Sequence, residues 1–232
     1  MYQSKKILSL IPARGGSKGI PNKNIIKLNG LPLISYTITA SLSSQYIDST
    51  VVSTDSADIA ETAKKYGASV PFMRPMELAS DRAKTIDAVL HAISVLEGKG
   101  KIFDVLILLQ PTQPLRTAKD IDAAIECFFE RGQRSLVSVS PVEEHPLLIR
   151  TVNVVGDAVP LLHENSTCRR QDMERYYKVN GCIYINRIDE LSEESSFNDN
   201  QTAFIMEFEH SVDIDESKDI YLAELYLKNK PN

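Results

Sequence analysis

Short apolar runs alternate with amphipathic stretches along most of the chain. The runs at 7–11, 50–53, 70–73, 105–109 and 135–139 have the length and the Val/Ile/Leu content of strands. The run at 105–109 is continuously apolar, as expected of a strand covered on both faces. Between these runs, residues 32–43, 57–66, 85–96 and 118–131 carry apolar residues at helical spacing. Ser56 or Asp55 is placed to cap the second of these helices, Gly67 lies just past its end, and Thr117 is placed to cap the fourth. The βαβα rhythm predicts an α/β fold with a mostly parallel, doubly wound sheet between helical layers.

The rhythm breaks after Pro141. From there to Tyr177 the chain carries turn residues, charges and short apolar pieces such as 151–155, which predicts an inserted, small antiparallel element. Regular patterning returns at 182–185, at 204–208 and in a final helix over 217–228. With no internal repeat or low-complexity linker, residues 1–232 read as one domain carrying an insertion at 141–180.

Composition narrows the picture. The chain has 232 residues, enough for one large core, and its 43% hydrophobic and 25% charged content is ordinary for a globular protein. No apolar run is long enough to cross a bilayer, and the opening residues lead into a strand-like run with no signal-peptide core. The expectation is a cytoplasmic protein with no membrane partner. Cys127, Cys168 and Cys182 lack metal-ligand spacing and read as reduced structural thiols. A net charge of −5 argues against a general nucleic-acid binder. Its distribution says more: the first acidic residue is Asp48, after Lys5, Lys6, Arg14, Lys18, Lys23 and Lys27. A locally positive opening in an acidic chain suits a small polyanion such as a nucleoside triphosphate.

Five groups of residues carry candidate chemistry. The first strand runs into Pro12-Ala13-Arg14-Gly15-Gly16-Ser17-Lys18-Gly19-Ile20-Pro21-Asn22-Lys23-Asn24. Its glycines let backbone amides approach a ligand, and its cations lie at a strand end, where open α/β sheets bind. The loop has neither the P-loop order nor G-x-G-x-x-G. In Asp213-Ile214-Asp215, an extended segment would project both carboxylates to one side as hard ligands for magnesium; alternatively Asp215 caps the final helix. Gln110-Pro111-Thr112-Gln113-Pro114-Leu115-Arg116 follows the most apolar strand and stiffens a polar loop. Arg74 and Ala79-Ser80-Asp81 precede a helix, where Ser80 or Asp81 is also placed to act as its cap. Arg169-Arg170-Gln171 offers a bidentate clamp for a substrate carboxylate or a solvated arm. His91, His145, His163 and His210 are isolated from one another.

Taken together and in order, these pieces resemble the acylneuraminate cytidylyltransferases, the CMP-sialic acid synthetase family. The resemblance rests on Ile11 to Gly19 with Asn22-Lys23-Asn24, Val52-Ser53-Thr54-Asp55, Arg74-Pro75 with Leu78-Ala79-Ser80-Asp81, and Leu109-Gln110-Pro111-Thr112 with Pro114-Leu115-Arg116. It continues through Arg170-Gln171, Asn180 to Ile185 and Asp213-Ile214-Asp215. It implies a nucleotidyltransferase-type sheet with 141–180 as a dimerisation arm and a homodimeric assembly. It further implies transfer of CMP from CTP to the anomeric hydroxyl of an acidic nine-carbon sugar, with Mg2+ as cofactor. Ala13, Arg14, Gly15, Lys18, Lys23, Asn24, Arg74, Ala79 and Ser80 would bind nucleotide, and Ser80, Gln110 and Arg170 the sugar. Asp213 and Asp215 would hold the metal and, with Arg14 and Lys23, form the catalytic set. No residue stands out as the general base.

One departure bears on the sugar. Sialic acid-using relatives continue the motif around His145-Pro146-Leu147 with a lysine facing the sugar, whereas this chain has Leu148, with Arg150 the nearest basic residue. That widens the expected substrates to legionaminate, pseudaminate and Kdn. The Kdo cytidylyltransferases are a weaker match, because their nucleotide loop differs from Lys23-Asn24. A non-catalytic nucleotide-sugar-binding regulator is the rival class, and retention of Arg14, Lys23, Asp213 and Asp215 speaks against it. A nicotinamide-linked dehydrogenase stands further off, since the glycine spacing is wrong. Everything depends on cationic residues near the amino terminus facing carboxylates near the carboxy terminus.

Overall fold

The structure, a computed structural model, describes residues 1–17, 19–163, 169, 171 and 173–229. Its core is a six-stranded sheet of β1 (Ile7–Pro12), β4 (Ser49–Ser53), β5 (Val105–Leu108), β6 (Leu136–Pro141), β9 (Tyr177–Arg187) and β10 (Thr202–Ile205). The spatial order is β10-β6-β9-β5-β1-β4. Neighbours pair in parallel except β9, which runs antiparallel between β5 and β6, with a register shift between Val137 and Val139. The predicted mostly parallel sheet is therefore mixed through one strand.

The alternation of β1 explains the layers. Ile7 and Ile11 pack with Ile34 and Ile38 of α1 (Leu33–Leu42), Ile59 of α2 (Ala57–Lys65) and Ile121, Ile125 and Phe128 of α4 (Ala118–Glu130). Leu8 and Leu10 face the other way, against Val89, Ile93 and Leu96 of α3 (Thr85–Gly98). Period-two side chains on a strand with apolar residues at every position but Ser9 produce a sheet buried on both faces. Ser9 is accommodated by a buried hydroxyl chain, accepting from Ser41 Oγ at 2.7 Å, with Thr50 Oγ1 2.8 Å from Ser41. A third cluster, Ile20, Leu28, Leu33, Ile214 and Ala223, joins the loop after β1 to the segment leading into α5 (Ser217–Asn229). Leu28 belongs to a minimal hairpin of β2 (Lys27–Leu28) and β3 (Leu31–Pro32).

Local chemistry sets the boundaries. Ser56 accepts from Ile59 N at the start of α2, and Gly67 beyond its end adopts φ +94°. Thr117 and Asp120 form a reciprocal box at α4: Asp120 N donates to Thr117 Oγ1 and Thr117 N to Asp120 Oδ2. The capping position of α3 is Lys84, whose amide donates to Asp87, so neither Ser80 nor Asp81 caps it. The strand expected at 70–73 does not form. Only Ser69 bridges Val51, because Pro71 and Pro75 bracket the next residues and remove donors a ladder would need. The excursion after Pro141 contains an antiparallel pair, β7 (Arg150–Val152) and β8 (Ala158–Pro160).

β1 has β4 on one side and β5 on the other, and its chain leaves toward β4 while β5 is reached later. Loops leaving the carboxyl ends of β1 and β5 therefore diverge over a crevice, the position where open α/β sheets bind ligands.

Candidate active site

That crevice is a cavity of about 390 Å³. The loop after β1 contributes Arg14, Gly16, Ser17, Lys23 and Asn24; the 74–88 region contributes Arg74, Leu78, Ser80, Asp81, Lys84 and Thr85. The loop after β5 adds Gln110, Pro111 and Thr112, and the segment before α5 adds Asp213 and Asp215. Cations from one end of the chain thus face carboxylates from the other across one cleft. Ala13, Gly15 and Ala79 do not line it: Ala13 N is committed to Ser53 O at 2.9 Å and Gly15 N to Asp55 Oδ1 at 2.9 Å. Lys18 and Arg170 lie outside the described residues, as does Cys168.

The loop after β1 is fixed from within. Asn22 takes a left-handed φ of 53° and turns the chain into a short helical turn, Lys23–Ile25. Asn24, buried, donates through Nδ2 to Arg14 O at 2.9 Å, and so holds the loop closed on itself. Lys23 Nζ reaches Ile214 O and Asp215 Oδ1, each at 2.8 Å. Arg14 pairs with Asp81 across the crevice at 2.8 Å. Gly19 is pressed on the same segment: a Cβ there would stand 2.7 Å from Asp215 O. Only a residue without a side chain allows this approach.

The carboxylate segment is equally determined. Ile214, fully buried, donates its amide to Thr112 O at 2.9 Å. Asp219 accepts from Asp215 N at 3.0 Å and Glu216 N at 2.7 Å, so Asp219, not Asp215, receives the amides at the start of α5. Burial pushes the Asp213 carboxyl above the usual carboxylate range; a hydrogen bond from Thr112 and the charge of Lys23 act against this, and Asp215 and Asp219 add to it. Asp213 Oδ1 is buried with no hydrogen-bond partner. An orphaned, buried carboxylate oxygen beside a second carboxylate fits a divalent cation with hard oxygen ligands. Among the described residues there is no group of three or more His, Cys, Asp and Glu able to hold a metal.

Two buried arginines support the floor. Arg74 donates to Ser53 Oγ at 3.1 Å and to Ser53 O, and its amide donates to Thr54 O at 2.7 Å. Burial lowers its pKa, against the field of Asp55 and together with that of Arg14. Arg116 donates to Cys182 O and Thr37 Oγ1, each at 2.8 Å, and more loosely to Gln110 O. Burial brings it down to about 10, so it stays charged at neutral pH. This guanidinium ties the Gln110 loop to β9 and α1. Gly181, at φ +76°, packs beside the Gln110 side chain. The Cys182 thiol, pushed up to about 12 by burial, is chemically inert and donates to Gln113 Oε1.

Lys84 and Thr85 were not singled out from sequence. They line the cavity because α3 starts with its amino-terminal end on the crevice, adding partial positive charge. They also border a second cavity of about 320 Å³, which shares Gln110 and continues to Tyr184, Ser195, Ser196, Phe197 and Asn198. The histidines take structural places: His91 stacks edge-on to Phe72, His145 contacts Glu174 O at 3.0 Å, and His210 contacts Asp120 at 3.1 Å.

Comparison with known proteins is consistent along the chain. A family model described as cytidylyltransferase matches residues 8–229. CMP-N,N'-diacetyllegionaminic acid synthase of Legionella pneumophila is 40% identical over 228 residues, covering 94% of this chain and 95% of its own. N-acylneuraminate cytidylyltransferase of Streptococcus agalactiae is 37% identical over 92% of this chain and 51% of its own. Among solved structures, a CMP:2-keto-3-deoxy-manno-octonic acid synthetase complexed with CTP superimposes with a TM-score of 0.72, covering 96% of this chain and 98% of its own. At 19% identity that last likeness is one of fold.

Proposed function

Because the chain belongs to the cytidylyltransferase family, we propose that it transfers CMP from CTP to the anomeric hydroxyl of a nonulosonic acid and releases pyrophosphate. The observation that carries this reading is the convergence of Arg14, Lys23, Asp213 and Asp215 on one cavity. A cleft in which cations and a carboxylate pair meet suits a triphosphate accompanied by a divalent ion.

In the reaction the sugar oxygen attacks the α-phosphorus of CTP, the bond to the bridging oxygen breaks, and the hydroxyl proton is released. Arg14 and Lys23 hold the phosphates and offset the charge that grows on the leaving pyrophosphate. Arg74, Asn24 and Ser80 line the part of the cavity where base and ribose fit. Asp213 and Asp215 would hold Mg2+, which supplies Lewis-acid neutralisation of phosphate oxygens when bound. Gln110, bordering both cavities, places the acid sugar in the second one beside the α-phosphate. Positioning and fixed charge supply most of the rate enhancement in such a transfer.

The insertion after Pro141 is read as a dimerisation arm. Its β7–β8 region leaves Val152, Val154 and Val155 exposed, with Val154 fully so, an apolar surface that a second copy would cover. The whole chain then acts as one cytidylyltransferase domain with an appended contact element, working as a cytoplasmic homodimer. The test is magnesium-dependent pyrophosphate release across the four nucleoside triphosphates and a panel of legionaminate, pseudaminate, N-acetylneuraminate and Kdn. The expected result is turnover with CTP and at least one of these sugars. Binding of CTP without turnover of any sugar would favour the regulator instead.

A further inference from the structure

The two carboxylates of the site are satisfied differently. Asp213 keeps a buried oxygen with no hydrogen-bond donor, whereas Asp215 Oδ1 already holds a cation, the Lys23 ammonium at 2.8 Å. Lys23 is well seated: its side chain is 13% exposed against 71% for Asp215, and Nζ also donates to Ile214 O. A divalent ion held by both carboxylates would have to share Asp215 with the Lys23 ammonium, whose like charge weakens its binding there.

We propose that Lys23 and the divalent ion are alternative occupants of Asp215, so that the nucleotide, by drawing Lys23 onto its phosphates, completes the metal site. This rests on the reading of Asp213 and Asp215 as metal ligands and adds an order to it. The exchange needs no backbone movement. Lys23 Cα is held in the turn after Asn22, while its four-carbon stem gives Nζ an arc that includes the cavity it lines with Arg14. Each charged group keeps a partner of opposite sign: the ammonium exchanges a carboxylate partner for a phosphate one, and the freed carboxylate gains the divalent ion. Arg14 stands in a parallel state on Asp81, so both phosphate-binding cations rest on carboxylates of the cleft before a polyanion arrives. The ammonium thereby also relieves repulsion between Asp213 and Asp215, and this repulsion adds to the raised pKa of Asp213.

The test is titration of the nucleotide-free protein with manganese, reading free Mn2+ by electron paramagnetic resonance. Lys23→Met is expected to bind manganese about tenfold more tightly than wild type, since it removes a charge-assisted competitor for Asp215. In an Asp215→Asn background the same substitution is expected to give no such gain. Lys23→Gln retains a donor for Ile214 O and serves if the Met variant does not fold, as judged by its circular dichroism melt. Unchanged or weaker manganese binding in the folded Lys23 variants would overturn the proposal. So would an equal gain with Asp215→Asn present, because Lys23 would then act through its field alone. Asp213→Asn is expected to abolish binding in the Lys23→Met protein. Binding that survived it intact would refute the carboxylate-pair reading itself and the exchange with it.

Discussion

The close approach of Gly19 to the carboxylate segment makes a sharp prediction for Gly19→Ala. The new Cβ would lie 2.7 Å from Asp215 O, whereas unstrained carbon–oxygen contacts of this kind fall at about 3.3–3.6 Å. One side must therefore retreat by about 0.6–0.9 Å. Asp215 cannot move alone, because Ile214 is buried and bonded to Thr112, and Asp215 N is bonded to Asp219. The cost is that of the contact itself. Overpacking of this order costs roughly 1–3 kcal/mol, which in a chain of this length lowers Tm by about 2–12 °C. The catalytic loss is larger in relative terms. A shift of about 1 Å in a positioning group costs about a hundredfold, so kcat/KM for CTP should fall between about 10- and 100-fold. Coupled pyrophosphate release at saturating magnesium measures it. Gly16→Ala, whose Cβ meets no atom within 4 Å, should leave Tm unchanged and serves as the stability control. Wild-type Tm and turnover in Gly19→Ala would refute the contact argument.

Two other predictions concern charge and assembly. Asp213→Asn should abolish most turnover yet melt at a higher temperature than wild type at pH 7 in the presence of EDTA. The sign follows from its raised pKa: stability is fully present below the unfolded value near 3.8 and is lost as pH rises through the folded value, so the difference should close as pH falls toward 4. A lower Tm for the variant at pH 7 would count against a burial penalty on the charged form. Val154→Asp, on the most exposed apolar position of the insertion, should shift a dimer to monomer in analytical ultracentrifugation while leaving the monomer's melting cooperative. An unchanged sedimentation coefficient at the dimer value would place the interface elsewhere.

Much of the fold was legible because strand and helix periods differ and the sheet is buried on both faces. β5 is a continuous apolar run and β1 is interrupted only by Ser9, both bounded by turn chemistry, and α2 and α4 carry their own caps. β9 was legible only at its centre. Residues 177–181 read as polar and contain Gly181 at positive φ, yet β6 pairs with Tyr177, Lys178 and Val179 and extends the strand to eleven residues. Tertiary pairing there outweighs local propensity. The opposite happened at 70–73, where apolar content suggested a strand but the flanking prolines limit it to one bridge. In the site, the segment before α5 brings Asp213 and Asp215 to the same cavity, the one buried and the other exposed. What no local pattern contained was distance in space between residues far apart in sequence: Arg14 on Asp81, Gly15 on Asp55, and the amino-terminal end of α3 on the crevice. The capping position of α3 at Lys84, four residues beyond Ser80, hid Lys84 and Thr85 from a reading that sought the cap earlier.

The contact between Lys23 and Asp215 spans 192 positions. During translation at about 5–20 residues per second, the phosphate loop emerges about 10–40 s before its carboxylate partners. A carboxy-terminally clipped chain would therefore leave Lys23 without the carboxylate it rests on and, on the proposed reading, without the seat for a divalent ion, while Arg14 would keep Asp81.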